Sequence, residues 1–220
     1  MSAAIEALPV FASGGAVLVV AAVRQEIHSG ALGTGGRARL LLTGMGKERV
    51  RKSLRAVLRT SRPQLLISAG FAGGTRPGCR VGDLLMASEV HDLSSGKRWK
   101  PGWCPTRLDG RVAVGPFITV ESPLSRPEEK EQAGRTFGAV GVDMETSAVA
   151  EAASDHGVPW IGLRAVLDPM EVRLPVGSAF DAVRLAAVPS RWKELAYFFE
   201  SIRKARASLA EGIGLLIARL

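Results

Sequence analysis

Seven consecutive residues, Ala16-Val17-Leu18-Val19-Val20-Ala21-Ala22, are apolar without a polar break. A half-exposed strand alternates apolar and polar side chains, whereas an unbroken β-branched run fits a strand covered on both faces. Gln64-Leu65-Leu66-Ile67-Ser68 and Val158-Pro159-Trp160-Ile161-Gly162-Leu163-Arg164-Ala165-Val166, apolar apart from their ends and Arg164, read as further buried strands. Strands covered on both faces need helices on both sides, and the intervening segments supply them. Lys47–Thr60 places Val50, Leu54, Val57 and Leu58 on one helical face. Pro127–Phe137 reads as a helix with proline in its first turn. The spacing predicts an α/β fold: a single domain over residues 1–220 with a twisted central mixed β-sheet flanked by helices, and residues 190–220 as a C-terminal helical extension. A chain of 220 residues can bury a sizeable core.

The remaining stretches are read by the same rules. Residues 1–15 form a loose lead-in, Arg39–Thr43 a strand, and Gly44-Met45-Gly46 a tight turn. Gly70-Phe71-Ala72-Gly73-Gly74 is expected to turn after its strand, either to bring backbone N–H groups close to a ligand or merely to bend the chain. Its spacing is not that of a nucleotide-phosphate loop. Val81–Val90 is a strand entered through a turn that Asp83 braces, and Arg111–Val120 is another. His91–Asp109 reads as an irregular loop, open to use as a lid, in which Trp99 and Trp103 serve as anchors or as cover for a ligand. His28 and His91 are placed on the surface or in loops. Residues 170–189 are a linker with a short helix. Trp192–Leu220 is one long helix or two, with Leu195, Phe198, Phe199 and Ile202 on an apolar stripe.

Composition narrows the function. The net charge of +8 raises nucleic-acid binding. The basic residues cluster at Lys47–Arg62 and Arg191–Arg206 as solvated helix faces with little aromatic interleaving, which disfavours a nucleic-acid partner. Two cysteines and three histidines provide neither a disulfide framework nor zinc-ligand spacing, so no metal and no cofactor is expected. Ala16–Val23 is too short for a membrane span, and a cytoplasmic location follows by default.

Gly141-Val142-Asp143-Met144-Glu145-Thr146-Ser147-Ala148-Val149-Ala150 reads as a short strand entering a helix with a small-residue face. Glu145 at that junction lies at the open edge of a sheet, where ligands bind, and its oxygens can accept from two neighbouring hydroxyls of a ribose. Capping and helix-dipole effects explain Asp143 and Glu145 equally well. Glu26 and Asp168 also follow core strands. If the three strands are parallel neighbours, Glu26, Glu145 and Asp168 converge. Converging carboxylates suit cleavage through an oxocarbenium-like transition state, and burial can set their pKa values apart into an acid and a base. The plainer readings are that Asp168 begins a turn before Pro169 and that Glu26 pairs with Arg24 or a helix end. Arg164, in mid-strand, is expected to pair with a carboxylate, and Asp143 to be a structural partner.

In chain order, Ser68-Ala69-Gly70-Phe71-Ala72-Gly73-Gly74, Val81-Gly82-Asp83, Val142-Asp143-Met144-Glu145 and Arg164-Ala165-Val166-Leu167-Asp168 resemble the signatures of the nucleoside phosphorylase/nucleosidase superfamily. Ala21-Ala22-Val23-Arg24-Gln25-Glu26 is similar to the N-terminal motif of the methylthioadenosine/S-adenosylhomocysteine nucleosidases. The Asp-Met-Glu form and Asp168-Pro169 … Arg173-Leu174-Pro175 look most like the hopanoid-associated phosphorylases, which act on adenosylhopane. The resemblance implies N-glycosidic cleavage of a purine nucleoside. Asp168 would protonate N7 of adenine and Glu26 would activate water. Glu145 would hold the ribose hydroxyls and Met144 would pack on the sugar. Gly70, Phe71, Ala72 and Gly73 would border the ribose and base. It also implies a homo-oligomer, at least a dimer.

Two departures from the pattern matter. Ser68 and Phe71 stand where the phosphorylases carry phosphate-binding Arg and Ser, and Glu26 would repel phosphate. Water is therefore the expected nucleophile. Leu167 stands where nucleosidases carry a serine before the catalytic aspartate, which leaves Asp168 in drier surroundings. The alternatives are a methylthioadenosine/S-adenosylhomocysteine or futalosine nucleosidase, a phosphate-dependent phosphorylase, and a nucleoside-binding regulatory protein. The basic helix 191–206 is open to packing on the core or a partner subunit, or to peripheral contact with an anionic inner-membrane surface.

Overall fold

The computed structural model describes residues 16–27, 38–102, 112–173 and 192–219. The expectations for residues 1–15, His28, Trp103 and most of the 170–189 linker lie outside these. Eight strands are described: β1 (Val17–Ala21), β2 (Ala38–Leu42), β3 (Leu65–Gly74), β4 (Leu84–Asp92), β5 (Arg98–Trp99), β6 (Val112–Thr119), β7 (Gly141–Asp143) and β8 (Trp160–Asp168). Four helices accompany them: α1 (Lys47–Leu58), α2 (Pro127–Phe137), α3 (Thr146–Asp155) and α4 (Trp192–Ala218).

The sheet runs β2-β1-β3-β7-β6-β4-β5, and β8 pairs with both β3 and β4. That double pairing closes β3, β7, β6, β4 and β8 into a ring, with β1 and β2 as a parallel wing on β3. The pairing is mixed: β8 is parallel to β3 but antiparallel to β4, and β7 is antiparallel to β3.

The apolar runs are buried on both faces, as their patterning requires. Val17, Val19, Leu65, Ile67 and Ala69 join Ala205, Leu209, Ile213 and Leu216 of α4 in one cluster. Leu18, Val20 and Leu66 point the other way, onto Val50 and Leu54 of α1 and Ala148, Val149, Ala152 and Ala153 of α3. The small side chains of α3 let it sit close to the sheet. Ala133 of α2 covers a third cluster around Ile118, Val120 and Val142.

Several local expectations change. Gly70–Gly74 is not a turn but the second half of β3, which continues to Gly74. The turn chemistry of glycine was outweighed by pairing with β8 and β7. His91 is buried, because β4 extends through Asp92 before folding back into β5. Trp99 lies on β5 and packs on the α1/α3 side of the core, away from the cavity described below. Lys47 is not part of a solvated face: it is buried, with Nζ 2.9 Å from Asp92 Oδ2 and 2.5 Å from Glu121 Oε1. The C-terminal helix is continuous from Trp192 to Ala218, and its buried face is Ser201, Ala205, Leu209, Gly212, Ile213 and Leu216 rather than the stripe that begins at Leu195.

Candidate active site

A cavity of about 400 Å³ opens where β1, β3, β7 and β8 end. Glu26, Glu145 and Asp168 all line it, together with Met144, Phe71, Ala72 and Gly73. Gly70 does not reach the cavity; it lies beneath Glu26. The three carboxylates meet although their strands are not all parallel. β7 runs antiparallel to the last residues of β3, pairing Val142 with Gly73, and this returns Glu145 to the end shared with β1 and β8.

The glycines of β3 make room for the acids. A β-carbon on Gly70 would stand 2.7 Å from Glu26 Oε1. One on Gly73 would stand 3.2 Å from Asp168 Oδ2 and 3.0 Å from Val142 Cγ1. Over Gly70 the space is thus filled by Glu26, while Gly73 faces the cavity beside Asp168.

Glu26 is held by main-chain donors. Its Oε2 accepts from the N–H groups of Ala22 (2.8 Å) and Val23 (3.0 Å), and Oε1 accepts from that of Phe71 (3.3 Å). These bonds fix it without Arg24. Burial raises its pKa, partly offset by the Arg164 charge.

Glu145 occupies the N-cap position of α3, but its side chain does not cap that helix. Oε1 instead accepts from the N–H of Gly46, 2.9 Å away in the turn before α1. Burial first, then the Asp143 charge, push its pKa up to about 7. The plain capping explanation therefore fails for Glu145. It holds for Asp143, whose Oδ2 accepts from the N–H of Thr146 (3.1 Å) and whose Oδ1 accepts from the Thr119 hydroxyl (2.8 Å).

Arg164 is buried and pairs with Asp143, Nη2 to Oδ2, at 2.6 Å. Its other bonds run from Nε to Asp143, from Nη1 to the carbonyls of Ser68 and Leu163, and from Nη2 to the hydroxyls of Ser68 and Thr146. A guanidinium has five N–H donors, and these contacts employ all of them. Behind the main cavity, Glu26, Glu145, Ser68, Arg164 and Thr43 surround a void of about 10 Å³, about the space one water needs.

Asp168 ends β8 and is buried, which raises its pKa; the charge of Lys130 counters part of that rise. Lys130 Nζ lies 2.5 Å from Asp168 Oδ2. Sequence reasoning missed this contact. Lys130 sits among glutamates on a helix that reads as solvated, and its carbonyl partner Pro169 is 39 residues away. The Gly46 contact of Glu145, 99 residues apart, left no signal either. From the apolar stripe of α4, Phe198, Phe199 and Ile202 form part of the cavity wall, a role the stripe alone does not signal.

An acid-lined cavity at the rim of a closed mixed sheet, with helices on both faces, defines an α/β protein with a ligand site at its strand ends. The chain belongs to the phosphorylase superfamily, whose family model matches residues 19–107 and 104–188. It is 30% identical over 168 residues to the 5′-methylthioadenosine/S-adenosylhomocysteine nucleosidase of Geobacillus thermodenitrificans, covering 65% of this chain and 71% of that protein. With the enzyme of the same name from Geobacillus kaustophilus it shares 31% over 159 residues, 61% of this chain and 68% of the other. The fold matches the crystal structure of the Neisseria meningitidis nucleosidase in complex with methylthio-immucillin-A. The TM-score there is 0.72 at 20% identity, over 94% of this chain and 100% of that one. It also matches the Streptococcus pneumoniae MTA/SAH nucleosidase in complex with 8-aminoadenine, with a TM-score of 0.71 at 18% identity, over 93% and 99% of the two chains.

Proposed function

We propose that this protein is a nucleosidase that hydrolyses the N-glycosidic bond of an adenosine-type nucleoside and releases adenine. The observation that carries the reading is the meeting of Glu26, Glu145 and Asp168 in one buried cavity. Asp168 gives its proton to N7 of the purine while the C1′–N9 bond breaks and its electron pair passes into the ring. Positive charge develops on the ribosyl carbon and ring oxygen. The carboxylate of Glu145 accepts from the 2′- and 3′-hydroxyls and fixes the sugar. A water attacks C1′ and gives its proton to Glu26. Adenine leaves with the proton from Asp168, and solvent returns the two acids to their starting states. Met144 and Phe71 line the sugar and base.

Three features support water over phosphate. No Lys or Arg is among the described residues lining the cavity. The donors of the nearby Arg164 are all engaged within the protein. The void beside Glu26 suits one water rather than a phosphate. Incubation with 5′-substituted adenosines, with and without phosphate, tests the reading; adenine with a free sugar supports it, and ribose 1-phosphate contradicts it.

The outer wall of the cavity, with Leu124, Leu167, Phe198, Phe199 and Ile202, favours an apolar 5′ substituent. Methylthioadenosine and adenosylhopane both meet that requirement, and the hopanoid-associated motifs favour the second. Tyr197 and Phe199 are exposed on α4. Coverage by a second copy of the chain is the reading we adopt for this face, with peripheral docking on an anionic membrane as its rival. Among the described residues no helix is long and apolar enough to cross a membrane.

A further inference from the structure

Lys130 is fully buried on α2, between Glu129 and Glu131, which are only half-buried. A buried ammonium is costly unless its three protons find acceptors. Here they do: Asp168 Oδ2 at 2.5 Å, the Pro169 carbonyl at 3.1 Å and the Val172 carbonyl at 2.8 Å. All three acceptors belong to the short stretch that leaves β8. A side chain needed only to anchor that stretch could use carbonyls alone. This one also holds the carboxylate that faces the cavity.

We propose that Lys130 is the positioning residue for proton delivery by Asp168: it grips Oδ2, directs Oδ1 at the purine, and balances the charge left when the proton departs. The inference rests on the nucleosidase reading above. In the step itself the Oδ1–H bond breaks and the N7–H bond forms. The carboxylate that remains is stabilised by an ammonium that keeps its own three protons. Preorganised charge of this kind acts where charge develops in the transition state. The other acids around this pair are Glu26, Asp143 and Glu145, which share the cavity with Asp168, and Glu171, which feels the Lys130 charge. The cation on the other side is Arg164, whose charge acts on Glu26 and Glu145, whereas the charge acting on Asp168 is that of Lys130.

The test compares Lys130→Gln and Lys130→Arg with the wild type, each checked for folding by circular dichroism. Two substrates separate positioning from general damage. Methylthioadenosine needs a proton on its leaving group, whereas 4-nitrophenyl riboside departs as a phenolate and needs none. For Lys130→Gln the expected loss in kcat is about ten- to a hundredfold on the nucleoside, a fraction of the roughly 10²–10⁴-fold that a general acid contributes, and less than about threefold on the riboside. The alkaline limb of its kcat profile should move to higher pH, because Asp168 has lost its counter-charge, while Lys130→Arg keeps the wild-type limb. Equal losses on both substrates, or an unmoved limb in the glutamine variant, overturn the proposal. If Lys130→Gln does not fold, the arginine variant decides. Its displaced Oδ2 should cost more on the nucleoside than on the riboside, and an equal cost overturns the idea. A wild type that releases no adenine contradicts the nucleosidase reading instead.

Discussion

The carboxylate of Glu26 lies directly over Gly70, so close that a β-carbon there would stand 2.7 Å from Oε1. Real β-carbons do not tolerate that distance against an atom held by three backbone N–H groups. Gly70→Ala should therefore push Glu26 off its donors. The cost in stability is about 1–3 kcal/mol, as for other overpacked sites. Turnover should fall more than the melting temperature suggests, because the base is the group displaced. Unchanged kcat in a folded Gly70→Ala would show that Glu26 has no part in the chemistry.

Glu145 carries a pKa pushed up to about 7 by burial and the Asp143 charge. Its carboxylate accepts from two hydroxyls only when ionised. The kcat/KM profile should rise with pH through about 7. The pKa of Asp168, raised by burial, sets the falling limb. A profile flat across this range would contradict the assignment of Glu145 to the sugar.

The same group predicts a stability effect. A folded pKa above the unfolded value means that Glu145 favours the folded state fully below about pH 4.5, and that this contribution is lost as pH rises through about 7. Each unit of pKa is worth about 1.4 kcal/mol, so the loss is on the order of 3 kcal/mol. Glu145→Gln keeps an acceptor for the Gly46 N–H without the charge. It should melt above the wild type at pH 8 and close to it at pH 5, read by thermal denaturation in both buffers. A variant less stable at pH 8 would mean that the buried charge is better solvated than its surroundings suggest.

The sheet was legible in the sequence wherever burial alone decided it. Val17–Ala21 is a buried strand because no polar residue offers it a wet face, and Trp160–Asp168 is buried because its two polar residues, Arg164 and Asp168, are paired inside the protein. The convergence of Glu26, Glu145 and Asp168 could be anticipated from their places after strands, although the direction of β7 could not. Pairing direction depends on partners far along the chain, and three residues of β7 carry no sign of them. Gly70–Gly74 misled for a related reason: glycine marks a turn by its own freedom, but here it marks close packing beneath two acids. Lys130 was illegible because its helix has the composition of a solvated one. Only the tertiary fold brings α2 against the end of β8.

The exposed Tyr197 and Phe199 should be covered in solution by a second copy of the chain. Sedimentation is expected to give a dimer or larger species, and Tyr197→Glu with Phe199→Glu to shift it toward monomer. A wild-type monomer that sediments with anionic vesicles at low salt and leaves them at high salt would favour membrane docking instead.

The most direct measurement is adenine release by Asp168→Asn, monitored on a folded variant against the wild type with methylthioadenosine and no phosphate. Asparagine keeps the shape but has no carboxylic proton to give to N7. The expected kcat is lower by about 10²–10⁴-fold, the usual contribution of a general acid, with adenine still the wild-type product. Release at a near-normal rate would contradict it.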